Sequence, residues 1–384
     1  MFFAENYVVR GTLVLNDGIV PDGELEIQRD RIVAVNKRAS HRQPALHWKD
    51  GWIFPGLVDI HVHGMAGFDV MDGSMEVLAA LDQALADSGC TRYLATTMSA
   101  SRQRLEAVLG AVASFKQIHG DSGLAGVHLE GPFIHPGYAG AQGAEFIRDP
   151  DLAELQSYCA RFPSLIRRVT LAPELPEALS LIAFCRQVGI TVSAGHSGAN
   201  FSQATEAFNA GAQQVTHLFN AMAPMHHREP GLAGAALQHP QVMVEVIADG
   251  VHLHPAAVRL AARLKGPDQV MLATDAMRAA GLGDGTYELG GQSIVVANGV
   301  ARTSGQNLAG STLTMLQAVF GYQAMAGVDL VEAVRAASLV PAQAVGLADR
   351  GALKAGFCAD FLLVHANGSN RMTCRNGKIL YDGR

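Results

Sequence analysis

The chain has 384 residues, 49% hydrophobic and 17% charged, which excludes wholesale disorder and allows a large buried core. A formal charge of −6, from 35 acidic and 29 basic residues, excludes a general nucleic-acid surface. The five cysteines form no CxxC, which argues against a disulfide framework or a cysteine zinc cluster.

In chain order, residues 7–15, 23–27 and 31–35 are rich in β-branched side chains and predict short strands. A break follows at Pro55-Gly56. Strands are then predicted at 58–62, 91–96, 124–129, 166–171, 191–194, 214–216, 243–247 and 269–274. Between most of them, apolar residues at three- and four-residue spacing predict helices over 75–87, 103–118, 151–161, 176–188, 201–210 and 255–264. A weaker helical pattern covers 231–237. Eight strands alternating with helices point to an α/β fold, a parallel (β/α)8 TIM barrel. The rival, an open doubly wound sheet, usually carries a GxGxxG turn after its first strand, and none is found here.

A Gly-rich insert follows over 279–310, with strand-like pieces at 287–289 and 293–297, and reads as a lid or a β-hairpin. Helices are expected over 312–326 and 330–338, the first with Ser311 or Thr312 near its start. Short strands at 360–364, 371–375 and 378–381 close the chain. The expected organisation is a small β-sandwich unit from 1–54 and 350–384, beside a catalytic barrel of 55–349. No apolar run reaches the 18 residues of a membrane span, and MFFAENYVVRG lacks a basic region followed by an apolar stretch. A cytoplasmic setting is expected.

The polar residues at the strand ends carry the chemistry. His61 and His63 form an HxH on the first strand, and a spacing of two puts both imidazoles on one face. Glu130 follows the third strand, His196 the fifth, His217 the sixth and Asp275 the eighth. Barrel active sites lie at the carboxy ends of strands, so six metal-competent groups converge on one rim. A lone histidine there is more often structural. Six together would be costly to desolvate without a cation. Imidazole with carboxylate suits zinc, iron or another divalent metal.

These residues resemble the amidohydrolase superfamily, whose members pair this barrel with a small β-sandwich. PGLVDIHVHG, HLEGPF, LAPE, SAGHS, THLFNAM, REPGLAG, ADGVH, TDAM and LAGSTLTM, spread from 55 to 315, are more specific. They resemble the N-acetylglucosamine-6-phosphate deacetylases, close to the N-acetylgalactosamine-6-phosphate branch. The resemblance implies removal of an acetyl group from a phosphorylated amino sugar, with one or two divalent metals, zinc first and iron, manganese or cobalt as alternatives. It implies that Glu130, His196 and His217 hold the main metal, that His61 and His63 serve a second, and that Asp275 is the general acid/base. It implies substrate contacts from Asn220, Ala221, Arg228, His252 and the loop Leu308, Ala309 and Gly310. Arg228 and His252 would reach a neighbouring subunit's site, implying a homodimer.

The sequence departs from several relatives at Gln142, where they carry a histidine near the scissile carbonyl; an amide there donates a hydrogen bond but takes no proton. Hydantoinase-like relatives use a carboxylated lysine after the fourth strand, and IRRVTLAPE contains none. A catalytically silent binding protein is the remaining rival, and retention of all six groups argues against it.

Overall fold

A computed structural model describes residues 6–38, 40 and 43–383. The first five residues of the expected amino-terminal unit lie outside them, as do 39, 41, 42 and 384. Eight parallel strands form the central sheet: Leu57–Val62, Cys90–Thr97, Leu124–Glu130, Ile166–Leu171, Thr191–Ala194, Gln214–Val215, Met243–Val246 and Val270–Leu272. The eighth closes against the first beyond its own end, where Asp275 N–H donates to the His61 carbonyl (2.9 Å) and Ala276 bridges Val62. Each strand appears where its apolar run predicts it. Most are buried on both faces, which is why they read as continuous hydrophobic stretches.

Helices Met75–Asp87, Arg102–Ile118, Leu152–Arg161, Ala178–Val188, Phe201–Ala210, Gly231–Gln238 and Pro255–Lys265 pack their apolar stripes outside the barrel. Their starts are marked in the sequence: Ser74, Ser101, Asp151 and Asn200 each accept a hydrogen bond from a first-turn N–H.

Both ends of the chain supply a second, seven-stranded sheet. It holds Asn6–Leu15, Gly18–Gln28, Arg31–Asn36 and Leu46–Pro55 from one end, and Phe361–His365, Asn370–Arg375 and Lys378–Asp382 from the other. Its edge strand Arg31–Asn36 comes round to meet the segment before Phe361: Ile32 N–H donates to Phe357 O and Ala359 N–H to Asp30 O. The sheet therefore curls around its own core of Val9, Leu13, Leu25, Ile27, Ile53, Phe361 and Leu363. Arg375 ties it to the barrel through two bonds to Asp82 on the first helix (3.0 and 2.7 Å).

The insert is a three-stranded antiparallel sheet, Gly285–Leu289, Gln292–Ala297 and Val300–Thr303, where two strands were expected. The third is four residues long and follows a tight turn at Gly299, so it carries little pattern of its own. The next helix begins later than expected, at Met315, with Thr314 as its cap. Ser311 instead donates its hydroxyl to the Thr274 carbonyl (2.6 Å), pinning the loop against the eighth strand.

Candidate metal centre

Barrel geometry places the ligands, and local backbone strain aims them. His196, His217 and Asp275 adopt left-handed backbone angles (φ 47°, 30° and 49°), just past the ends of their strands. For non-glycine residues this conformation costs about 1–2 kcal/mol each. It breaks the strand and turns the side chain into the barrel mouth.

The six expected groups form two sets. His61, His63 and Asp275 are one; Glu130, His196 and His217 are the other, and within each set the ligand atoms lie within 4.8 Å of one another. The sets adjoin, because Glu130 Oε1 is 3.2 Å from His61 Nε2 and 3.3 Å from His196 Nε2. Carbonyl oxygens fix the tautomers of the second set. His196 Nδ1 faces Tyr138 O at 2.8 Å and His217 Nδ1 faces Asn220 O at 3.1 Å, so each Nδ1 carries the proton. The two Nε2 atoms, 3.0 Å apart, then point lone pairs at each other and at a carboxylate. Such an arrangement repels itself unless a cation sits among the donors, so the residues fit a divalent metal.

The electrostatics agree. Burial opposes charge on His61 and His63, yet Glu130 and Asp275 outweigh it, raising His61 well above the usual imidazole value and His63 to about 9. Burial likewise pushes Glu130 and Asp275 up, but His61 and the neighbouring imidazoles hold both below the usual carboxylate value. The site stabilises positive charge.

A cavity of about 370 Å3 opens above the ligands. His63, Glu130, His196, His217 and Asp275 form its floor, with Met98, Tyr138, Leu289 and Leu308 among its apolar walls. Gln142, Asn220, Ala221, His252 and Gly310 also line it. Ala309 does not; it is buried behind the loop with its N–H on Ala301 O. Gln142 is held between two partners, accepting from Ser99 N–H (2.6 Å) and donating to Glu130 Oε2 (2.7 Å). Part of its donor capacity thus serves a candidate metal ligand. Asn220 spends its NH2 on the His217 and Leu218 carbonyls. His252 lines the cavity of its own chain, with Asp249 Oδ2 2.6 Å from its Nδ1. Arg228 is absent from the lining and stands exposed beside His227.

Sequence reasoning missed the supports beneath these groups. Glu174, in LAPE, accepts from Ser197 Oγ (2.7 Å) and Gly198 N–H (2.5 Å), shaping the His196 turn. Asp59 accepts from Thr274 Oγ1 (2.5 Å) at the base of the Asp275 turn. Arg168 and Glu245 lie fully buried inside the barrel. The available signal was a charge inside an apolar strand, as in VMVEVI and IRRVTL.

The amidohydrolase family model matches residues 52–380. The chain belongs to the amidohydrolase family. Among amidohydrolases, it is 36% identical over 383 residues to the N-acetylglucosamine-6-phosphate deacetylase of Lysinibacillus sphaericus, covering 99% of this chain and 98% of that one. It is 38% identical over 349 residues to the N-acetylgalactosamine-6-phosphate deacetylase of Escherichia coli O157:H7, covering 90% and 91%. A solved amidohydrolase structure superposes with a TM-score of 0.95 at 34% identity, covering 98% of this chain and 100% of that one. It is a mutant N-acetyl-D-glucosamine-6-phosphate deacetylase from Mycobacterium smegmatis in complex with N-acetyl-D-glucosamine-6-phosphate.

Proposed function

We propose that this chain hydrolyses the acetamide of N-acetylglucosamine 6-phosphate to acetate and glucosamine 6-phosphate. The observation that carries the reading is the pair of ligand sets meeting at Glu130 on the floor of a sugar-sized cavity, in a chain this similar to deacetylases. Glu130, His196 and His217 would hold one divalent cation, and His61, His63 and Asp275 a second. Zinc suits these nitrogen and oxygen donors best, with iron, manganese or cobalt as alternatives. A cation bound there supplies Lewis acidity, lowering the pKa of water to about 7 and stabilising negative charge on the acyl oxygen.

The chain's own groups do the rest. Asp275, held ionised beside His61 and His63, takes the proton that water loses on attacking the acetamide carbon. It delivers that proton to the nitrogen as the C–N bond breaks, so the amine leaves neutral. Gln142 braces Glu130, and the amide hydrogen not spent there faces the acyl group. Asn220, Ala221, His252 and the Leu308–Gly310 loop hold the sugar, with Ala309 supporting the loop from behind.

Among the described residues no lysine or arginine lines the cavity, yet the substrate is a phosphate dianion and the floor carries two carboxylates. A cation must come from elsewhere. We assign it to Arg228 of a second copy, since this guanidinium is exposed and has no carboxylate partner among the described residues, and phosphate matches its paired donors. A homodimer follows, with His252 serving its own cavity. The same reading makes 55–349 the catalytic unit and 1–54 with 350–384 its support. No helix of the described residues is long and apolar enough to cross a membrane.

The galacto epimer is the second reading, favoured by the 38% identity to the Escherichia coli enzyme. Acetate release from the two epimeric 6-phosphates decides. The expected result is a higher kcat/KM for the gluco sugar. A preference for the galacto sugar would reverse the assignment, and turnover of neither would end it.

A further inference from the structure

We propose that Glu245 is a positioning residue for the His61–His63–Asp275 metal set, clamped in place by Arg168. The inference rests on the reading above that this set holds a cation.

Glu245 points inward from the seventh strand and Arg168 from the fourth, and neither has exposed surface. Their ion pair spans the barrel below the ligands. Glu245 uses its oxygens differently. Oε1 pairs with Arg168; Oε2 accepts the His217 backbone N–H (2.9 Å) and lies 3.3 Å from His61 Nδ1. One carboxylate therefore touches a ligand residue of each set. Arg168 is itself fixed by Ser193 Oγ (2.8 Å) and Thr216 Oγ1 (3.3 Å) on the two intervening strands.

An ionised carboxylate only accepts, so Glu245 keeps a proton on His61 Nδ1 and a lone pair on Nε2. That Nε2 faces Glu130 and Asp275 at 3.2 and 3.4 Å. Without Glu245, the other tautomer would aim an N–H at the cation. The remaining ligands have different arrangements. His196 and His217 lean on backbone carbonyls, and His63 Nδ1 makes no hydrogen bond. Among the described residues, His61 is the one of the four imidazoles with a carboxylate hydrogen-bonded behind its ring.

Stability does not account for the pair. Barrel interiors are filled by layers of branched apolar residues. A buried ion pair loses so much hydration that well-packed apolar replacements are often neutral or stabilising. The charges are better explained by what Glu245 touches.

The test replaces both charges at once, with Arg168→Met and Glu245→Met in one chain. Removing both leaves no buried charge unpaired, so the chain should stay folded, with Tm lowered only by the lost acceptor at the His217 N–H and His61 Nδ1. Zinc affinities are then measured on metal-free protein by competition with a chelator. The expected result is two equivalents bound by the unsubstituted protein and a roughly 10–100-fold weaker second equivalent in the double variant. The Glu130 set should weaken less, because its imidazoles keep their carbonyl partners. Unchanged affinity for both equivalents would overturn the proposal. If the unsubstituted protein bound one equivalent only, the second-metal reading itself would fail, and the proposal with it. Should the double variant not fold, Glu245→Gln carries the same measurement. Its neutral oxygen is a poorer acceptor for His61, and an unchanged second affinity would again overturn the role.

Discussion

Asp275 occupies a position that no other group in the cavity duplicates. Its Oδ1 lies 3.2 Å from His63 Nε2 and 3.4 Å from His61 Nε2, at the edge of the ligand cluster. The Thr274–Asp59 bond and the Ser311 N–H donated to the Asp275 carbonyl (2.7 Å) hold its backbone. Asp275→Asn keeps the shape and removes the proposed base. We expect kcat to fall by at least about 100-fold, the scale of general acid–base catalysis. The Glu130 set should still bind its zinc, measured as metal per chain. A variant with near-normal kcat at saturating zinc would show that another group moves the proton.

The loop from Leu308 to Ser311 leads from the insert to the helix at Met315 and is hydrogen-bonded to Thr274 and Asp275 past the eighth strand. Gly310 sits in the left-handed region (φ 59°), and a Cβ there would lie 2.7 Å from the Asp275 carbonyl oxygen. Gly310→Ala must push that backbone away. Because misplacing a reacting group by an ångström costs about 100-fold, kcat should fall on that order with only a small loss of Tm. An unchanged kcat would mean that the loop does not position Asp275. This element also shows where the sequence stops being legible. The six candidate ligands could be found because each lies at or just past the carboxy end of an apolar strand, and barrel topology gathers strand ends on one rim. The left-handed turns at His217 and Asp275 could not, since no neighbouring glycine or proline announces them, and at His196 the adjacent Gly195 does not say which residue turns. Nor could the Arg168–Glu245 pair, whose partners lie 77 residues apart and meet only once the barrel closes. The third insert strand escaped because a four-residue segment carries too little alternation. The cap at Thr314 displaced the one expected at Ser311 because Ser311 is needed at the eighth strand.

At the scale of the whole molecule, composition excluded more than it located. The charge of −6 spoke against a nucleic-acid surface but gave no hint that the cavity itself lacks a lysine or arginine. On the proposed reading, that lack leaves a single chain short of a cation for a phosphorylated substrate. Arg228→Ala should raise KM for the 6-phosphate by about 10–100-fold, the loss of one or two charge-assisted bonds to phosphate. KM for the unphosphorylated N-acetyl sugar should barely change. Equal effects on both sugars, or a monomer by light scattering, would remove the cross-subunit role. The account as a whole turns on metal-assisted cleavage of an acetamide. Its most direct test is acetate release from N-acetylglucosamine 6-phosphate by chelator-treated protein, before and after zinc is returned in measured equivalents. The expected result is no release from the metal-free chain and recovery as zinc is added, complete by two equivalents. Full release from metal-free protein, or none after zinc is restored, would contradict it.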